Sequence, residues 1–226
     1  MKNIFRRAIL KLTRLSTSLW FRVKYRVFAG TIRIDAASIA RISWGQNLIL
    51  RGMVAVEDST LDVGKGCSIA TEAEVGVAGK GVVMLHDGVS VGPRTIISTT
   101  NGRIEIGENT SFFSDCIISG EVSIGPGCLF ANNVTVLTST HEIHGGGTIR
   151  ENDAAARRRP GYKPYSAVAV GADCWFGANS VLLPGVTLGR GCVVGANAVV
   201  TKSFPEYSIL VGVPAKMIDS RRGSKE

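Results

Sequence analysis

Three histidines, five cysteines and a run of arginines are the residues of this 226-residue chain that could do chemistry. His141 and His144 stand close together, just ahead of Gly145-Gly146-Gly147. An imidazole exchanges its proton near neutral pH, which makes His141 the first candidate for a general base. His144 and His86 are weaker candidates. The spacing His141-x-x-His144 is compatible with zinc, but no third ligand accompanies it, so no metal is expected. The cysteines Cys67, Cys116, Cys128, Cys174 and Cys192 are odd in number and none forms a Cys-x-x-Cys pair. Arg157-Arg158-Arg159 and a segment rich in proline and tyrosine follow the histidines.

The elements that hold these residues are set by a repeat of six. Val170, Phe176, Leu182, Leu188, Val194 and Val200 succeed one another at that step, as do Ile106, Phe112, Ile118, Ile124, Phe130 and Val136. Weaker pieces occur at Val63, Ile69 and Val75, and at Val91 and Ile97. Four residues after each large apolar residue stands a smaller one: Thr110, Cys116, Cys128, Val134, Cys174, Ser180, Val186, Cys192 and Ala198. Six residues make one short strand and one corner, and three such units close a triangular coil of about 18 residues. The large side chains fill the interior and the small ones avoid crowding it. Such units are too short for βαβ connections. The pattern predicts a parallel β-helix, and it absorbs all five cysteines as small interior side chains without disulfides. At 27 glycines, against a usual share of about 7%, the composition suits a chain that turns often.

The repeat breaks after Val136 and resumes near Val170. Residues 137–167 therefore form a projecting loop, and a regular solenoid has no need of one. Long excursions from rigid scaffolds commonly carry binding or catalytic groups, and this one holds His141.

The net charge of +8 is not a property of the body. Residues 1–30 contain eight basic residues and no acid, and the rest of the chain is balanced. A nucleic-acid-binding body is not supported. Segment 1–30 reads as a basic amphipathic helix. It packs on the next domain or lies on an anionic lipid surface. Its apolar runs are too short to span a bilayer, and it lacks the pattern of a secretory signal. The expected organisation is this segment, a β-helix domain over 31–218, and a polar tail over 219–226.

Two stretches carry a resemblance to a known family. One is Asn133-Val134-Thr135-Val136 running into Thr140-His141. The other begins with Asp173-Cys174-Trp175-Phe176-Gly177-Ala178-Asn179-Ser180 and Leu183-Pro184-Gly185-Val186-Thr187-Leu188-Gly189. It continues through Gly195-Ala196-Asn197-Ala198-Val199-Val200-Thr201-Lys202 to Val211-Gly212-Val213-Pro214-Ala215-Lys216. Over about residues 55–218 the chain resembles the hexapeptide-repeat acyltransferases. Its nearest look is to the sugar O-acetyltransferases that act on galactosides, maltose, nodulation factors and surface polysaccharides.

The resemblance implies an all-β, left-handed parallel β-helix, a homotrimer with sites between subunits, and acetyl-CoA as co-substrate. It gives His141 the role of base toward an acceptor hydroxyl. It gives Trp175, Ala178, Ser180, Ala196, Thr201 and Lys202 contacts to CoA, and charge alone places Lys216 and Arg221-Arg222 near its phosphates. The family usually has proline after the histidine, where this chain has Glu142. It also has an asparagine one coil earlier, where this chain has Ser114-Asp115, so Asp115 is a candidate to orient His141 or meet the sugar. The implied acceptor is a sugar or glycan, free, nucleotide-linked or lipid-linked, at a cytoplasmic site or the inner membrane face. Arg157 to Arg159 either meet a phosphorylated or lipid-linked glycan or are simply solvated. Two alternatives stand beside this reading. One is a serine or amino-sugar N-acetyltransferase of the same fold. The other is a non-catalytic or metal-binding β-helix protein.

Overall fold

The computed structural model describes residues 31–34, 42–45, 49–50, 52–162 and 165–223. The basic segment 1–30 lies outside the described residues. Among those described, the strands sort into three sheets of eight, seven and nine strands, visited in rotation. Neighbours pair in parallel, apart from Lys216–Ser220, which folds back antiparallel on Ser208–Val211. This is a left-handed parallel β-helix, a triangular prism with one sheet on each face. Three edges join the faces: nine-stranded to eight-stranded, eight-stranded to seven-stranded, and seven-stranded to nine-stranded.

Each two-residue strand from Ser68–Ile69 onward places one residue inside at a fixed level, so like stacks on like. Phe112, Phe130, Phe176 and Val194 are in register. The rings of Phe112 and Phe130 stack with centroids 4.6 Å apart, and those of Phe130 and Phe176 at 4.3 Å. All three are buried. Offset ring stacking adds to what apolar burial already contributes.

The nine smaller residues anticipated from the repeat are all interior. Their chemistry proves more specific than small size. The thiols of Cys67, Cys116, Cys128, Cys174 and Cys192 donate to the carbonyl oxygens of His86, Ala131, Gly171, Gly189 and Pro205, at 3.1–3.3 Å. Each acceptor opens the corner of the next coil. Thr95 and Thr110 do the same to Phe113 and Gly125. Corner carbonyls have no strand partner, and a buried unpaired carbonyl is costly. A small side chain with one donor meets that need. All five cysteines are free thiols, and burial pushes those of Cys67 and Cys116 up from their usual pKa.

Corners also need left-handed backbone. Arg94, Asp115, Asn133, Asn179 and Asn197 all have φ between 56° and 65° and stack along the edge from the nine-stranded to the eight-stranded sheet. Asn and Asp tolerate that conformation best. Their side chains form a ladder. Asn133 donates to Asn179 at 2.8 Å, and Asn179 to Asn197 at 3.2 Å. Glycine follows many strands because the next coil passes close by. A Cβ on Gly171 would lie 2.5 Å from the backbone nitrogen of Arg190.

The 18-residue coil holds only for part of the prism. Ile118 pairs with Val136, and Leu182 with Val200, at that step. Val54, Val75, Ile97 and Ile118 follow at 21 or 22 residues. The earlier coils have strands of four or five residues on two faces, such as Glu74–Ala78 and Ile96–Thr100. These add residues without adding a corner, which is why the six-residue pattern is weak there.

Candidate active site

Residues 137–167 leave the prism at the edge between the eight-stranded and seven-stranded sheets. Strand Thr135–Val136 precedes them and Val168–Val170 follows. The base of the excursion is closed by Ser166 N–H donating to the Thr138 carbonyl at 2.8 Å, and by an antiparallel bridge between Ser139 and Tyr165. Thr138 itself is buried and donates to the Ser119 carbonyl at 3.0 Å.

Inside the excursion is a helix that the repeat does not announce, α1 (Ile149–Ala156). Thr148 caps it, and Glu151 reaches back to the Thr148 N–H at 2.8 Å, completing a capping box. That reciprocal pair satisfies donors at the helix start and favours the helix locally. The signal in sequence was Thr148-x-x-Glu151 ahead of three alanines.

The helix presents Asp153 to His141. Asp153 Oδ2 lies 2.6 Å from His141 Nδ1, and Oδ1 accepts the Glu142 N–H at 2.8 Å. One carboxylate therefore holds the backbone and the side chain of two consecutive residues. The Glu142 N–H and then the His141 ring hold the Asp153 carboxyl below its usual pKa. An ionised carboxylate only accepts, so Nδ1 carries the proton in the neutral ring and Nε2 keeps its lone pair. The His141 side chain is 74% exposed, so Nε2 is open to an acceptor. Glu142 is itself braced by Arg159, at 3.2 Å.

The family's usual proline after the histidine could not make the bond that Glu142 makes, because proline has no N–H. The departure noted in the sequence is thus what permits the Asp153 clamp. The sign of the pH effect follows. The clamp is fully present above the ordinary carboxylate pKa of about 3.9. It is lost as pH falls through the lower folded value.

Asp115 is placed elsewhere. Its carboxylate makes two bonds to Arg94 in the preceding coil, both 2.7 Å, which hold its pKa down. The carboxylate against His141 belongs to Asp153, which sequence reasoning missed. His86 pairs with Glu105 at 3.1 Å and sits on the edge between the seven-stranded and nine-stranded sheets, away from His141. Among the described residues no group of three or more His, Cys, Asp and Glu side chains is arranged to hold a metal ion.

The remaining candidates divide between two edges. Trp175 is 51% exposed on the outer face of the nine-stranded sheet, beside Leu129. Ala178 and Ala196 stack at the next corner, the Asn ladder edge. Thr201 and Lys202 are exposed at the edge from which the excursion leaves, directly after strand Val199–Val200. Ser180 is fully buried in the interior position, so a surface ligand meets only its backbone. Lys216 is exposed on the terminal hairpin. Arg221 is committed to Asp173 and two carbonyls, and Arg222 lies over the Tyr207 ring and donates to its hydroxyl.

Comparison with known proteins agrees with the architecture. A family model described as the hexapeptide repeat of succinyl-transferase matches residues 167–202. The chain is 30% identical over 184 residues to "Probable acetyltransferase Rv3034c" of Mycobacterium tuberculosis, covering 80% of this chain and 54% of that protein. It therefore spans about half the length of that relative. It is 30% identical over 167 residues to "Putative lipopolysaccharide biosynthesis O-acetyl transferase WbbJ" of Escherichia coli strain K12, covering 71% of this chain and 72% of that protein. The solved structure of the polySia specific acetyltransferase NeuO shares the fold, with a TM-score of 0.64 at 20% identity over 88% of this chain and 91% of that one.

Proposed function

Because the chain belongs to the hexapeptide-repeat acetyltransferases, we propose that it moves an acetyl group from acetyl-CoA to a sugar hydroxyl in the assembly of a surface polysaccharide. The observation that carries this reading is the His141–Asp153 pair, with Nε2 exposed, on the long excursion from the described prism. His141 Nε2 takes the proton of the acceptor hydroxyl as its oxygen attacks the thioester carbonyl carbon. The tetrahedral intermediate collapses, the carbon–sulfur bond breaks, and the CoA sulfur leaves with the proton held by the imidazolium. Asp153 acts through His141 as a positioning residue. It fixes the tautomer and offsets the positive ring as it forms.

Acetyl-CoA is assigned a wall of exposed Trp175 and Ala196 with half-buried Ala178, with Thr201, Lys202 and Lys216 toward its polar end. Ser180 contributes its backbone only. These groups occupy a different edge from His141, apart from Thr201 and Lys202. That separation supports a homotrimer whose sites form between subunits, one supplying the base and its neighbour the Trp175 wall. Exposed Phe113, Ile117 and Leu129 flank the Asn ladder edge and offer apolar surface for such packing. Segment 1–30 is assigned to an anionic membrane surface at the cytoplasmic face, near lipid-linked acceptors. Among the described residues no helix is long and apolar enough to cross a membrane.

The test is thiol release from acetyl-CoA against sugar hydroxyl, sugar amine and serine acceptors. Turnover confined to amines or serine would replace the O-acetyl reading, and failure to bind acetyl-CoA would remove it. Two variants refine it. Asp153→Asn is expected to lower kcat by roughly 10- to 10²-fold with little change in the KM for acetyl-CoA, read from steady-state kinetics. Trp175→Ala is expected to do the opposite. It should raise the KM for acetyl-CoA by about tenfold, in line with about 1.5 kcal/mol for an aromatic contact.

A further inference from the structure

The three acids of the excursion are all committed. Asp153 holds His141 and Glu142, Glu142 holds Arg159, and Glu151 completes the capping box. Arg150, Arg157 and Arg158 are exposed and have no ion pair among the described residues. Positions 150, 153 and 157 follow at steps of three and four, so they share one face of α1 and its last turn. That is the face whose Asp153 meets His141, and Arg157 is close enough to help depress the Asp153 pKa. Two guanidinium groups therefore flank the residue that positions the base.

Helix stability does not account for both. Arg157 suits the negative end of a helix, but Arg150 is in the first turn, where a positive charge opposes the macrodipole. General basicity does not account for them either, since the chain beyond residue 30 is balanced in charge. The excursion is also pinned, by its capping box, the Asp153 clamp and the Thr138–Ser166 closure. Its arginines are thus presented by a fixed element.

We propose that the acceptor is an anionic glycan, bearing a carboxylate or a phosphate within about one sugar of the hydroxyl that is acetylated, and that Arg150 and Arg157 recognise that charge. Guanidinium pairs both oxyanions through two parallel N–H donors. The proposal rests on the acetyl-transfer reading for the identity of the acceptor, but its test does not depend on turnover.

Binding of maltotriose, its C6-oxidised uronate form and maltotriose 1-phosphate to the full chain is measured by calorimetry with CoA present. At least one anionic form is expected to bind about tenfold or more tighter than the neutral sugar, as a charge-assisted bond contributes. Which of the two binds distinguishes carboxylate from phosphate. Raising the salt concentration should shrink the preference. Arg150→Gln with Arg157→Gln should reduce it by several-fold while CoA binding stays intact, which also shows that the variant is folded. Binding of all three sugars within a factor of two overturns the proposal. So does a preference that survives in the double variant, or no detectable binding of either anion at 10 mM, a level chosen on the order of a weak sugar affinity. Anion binding without acetyl-CoA binding would instead leave this site standing and remove the acetyl-transfer reading.

Discussion

Acetyl transfer by the His141→Ala variant is expected to fall by about 10²- to 10⁴-fold, the usual contribution of a positioned general base. The fold should be untouched. The His141 side chain is 74% exposed, and its hydrogen-bond partner in the structure is the Asp153 carboxylate. Removing the ring leaves that carboxylate bonded to the Glu142 N–H, so no buried group loses its partner. The loss should lie in kcat, because the wall proposed for CoA is at another edge. Thermal melting and CoA affinity measured beside the rates check both halves. An alanine variant within threefold of wild type on a good acceptor would remove His141 from the chemistry.

The largest effect on stability is expected at the centre of the prism. Phe130 is fully buried and stacks on Phe112 below and Phe176 above. Phe130→Ala leaves a void between two rings that are tied to their own coils and cannot collapse into it. The expected cost is about 3–5 kcal/mol, a fall in Tm of the order of 10 °C for a domain of this size. In a solenoid each coil is stabilised mainly by its two neighbours. The damage should therefore weaken the contacts between two halves of the prism rather than remain local. Chemical denaturation of the two proteins compares the stabilities. An equal shift from Thr187→Ala, an exposed strand residue on the seven-stranded sheet, would show that the interior stack is not the cause.

The regular coils were legible because one physical rule governs every position in them. A large residue, then a small one four places on, is enough to define inside from outside. The rule blurs toward the N-terminal end of the described prism, where strands such as Glu74–Ala78 add residues between corners. His141 was legible by its chemistry and by its place in the long break of the pattern after Val136. Asp153 was not, because its role depends on a helix that brings it back across an intervening loop. The choice of Asp115 as a candidate partner followed the family resemblance, which has an asparagine one coil before the histidine, and that position falls in a column of corner residues. The column exists, but in it Asp115 faces Arg94. Ser180 shows a related limit. Repeat phase says that its side chain points inward, and that overrides a surface contact suggested by motif alone.

The thiols that satisfy the corner carbonyls also mark the prism along its length. Cys67 lies toward one end, Cys116 and Cys128 in the middle, and Cys174 and Cys192 toward the other, all inaccessible in the folded chain. Stacked units open by fraying from their ends or by parting in the middle. Alkylation of each thiol then follows the opening of its own coil. Five labelling rates from one unmodified protein give the order in which the coils separate, with no engineered probe.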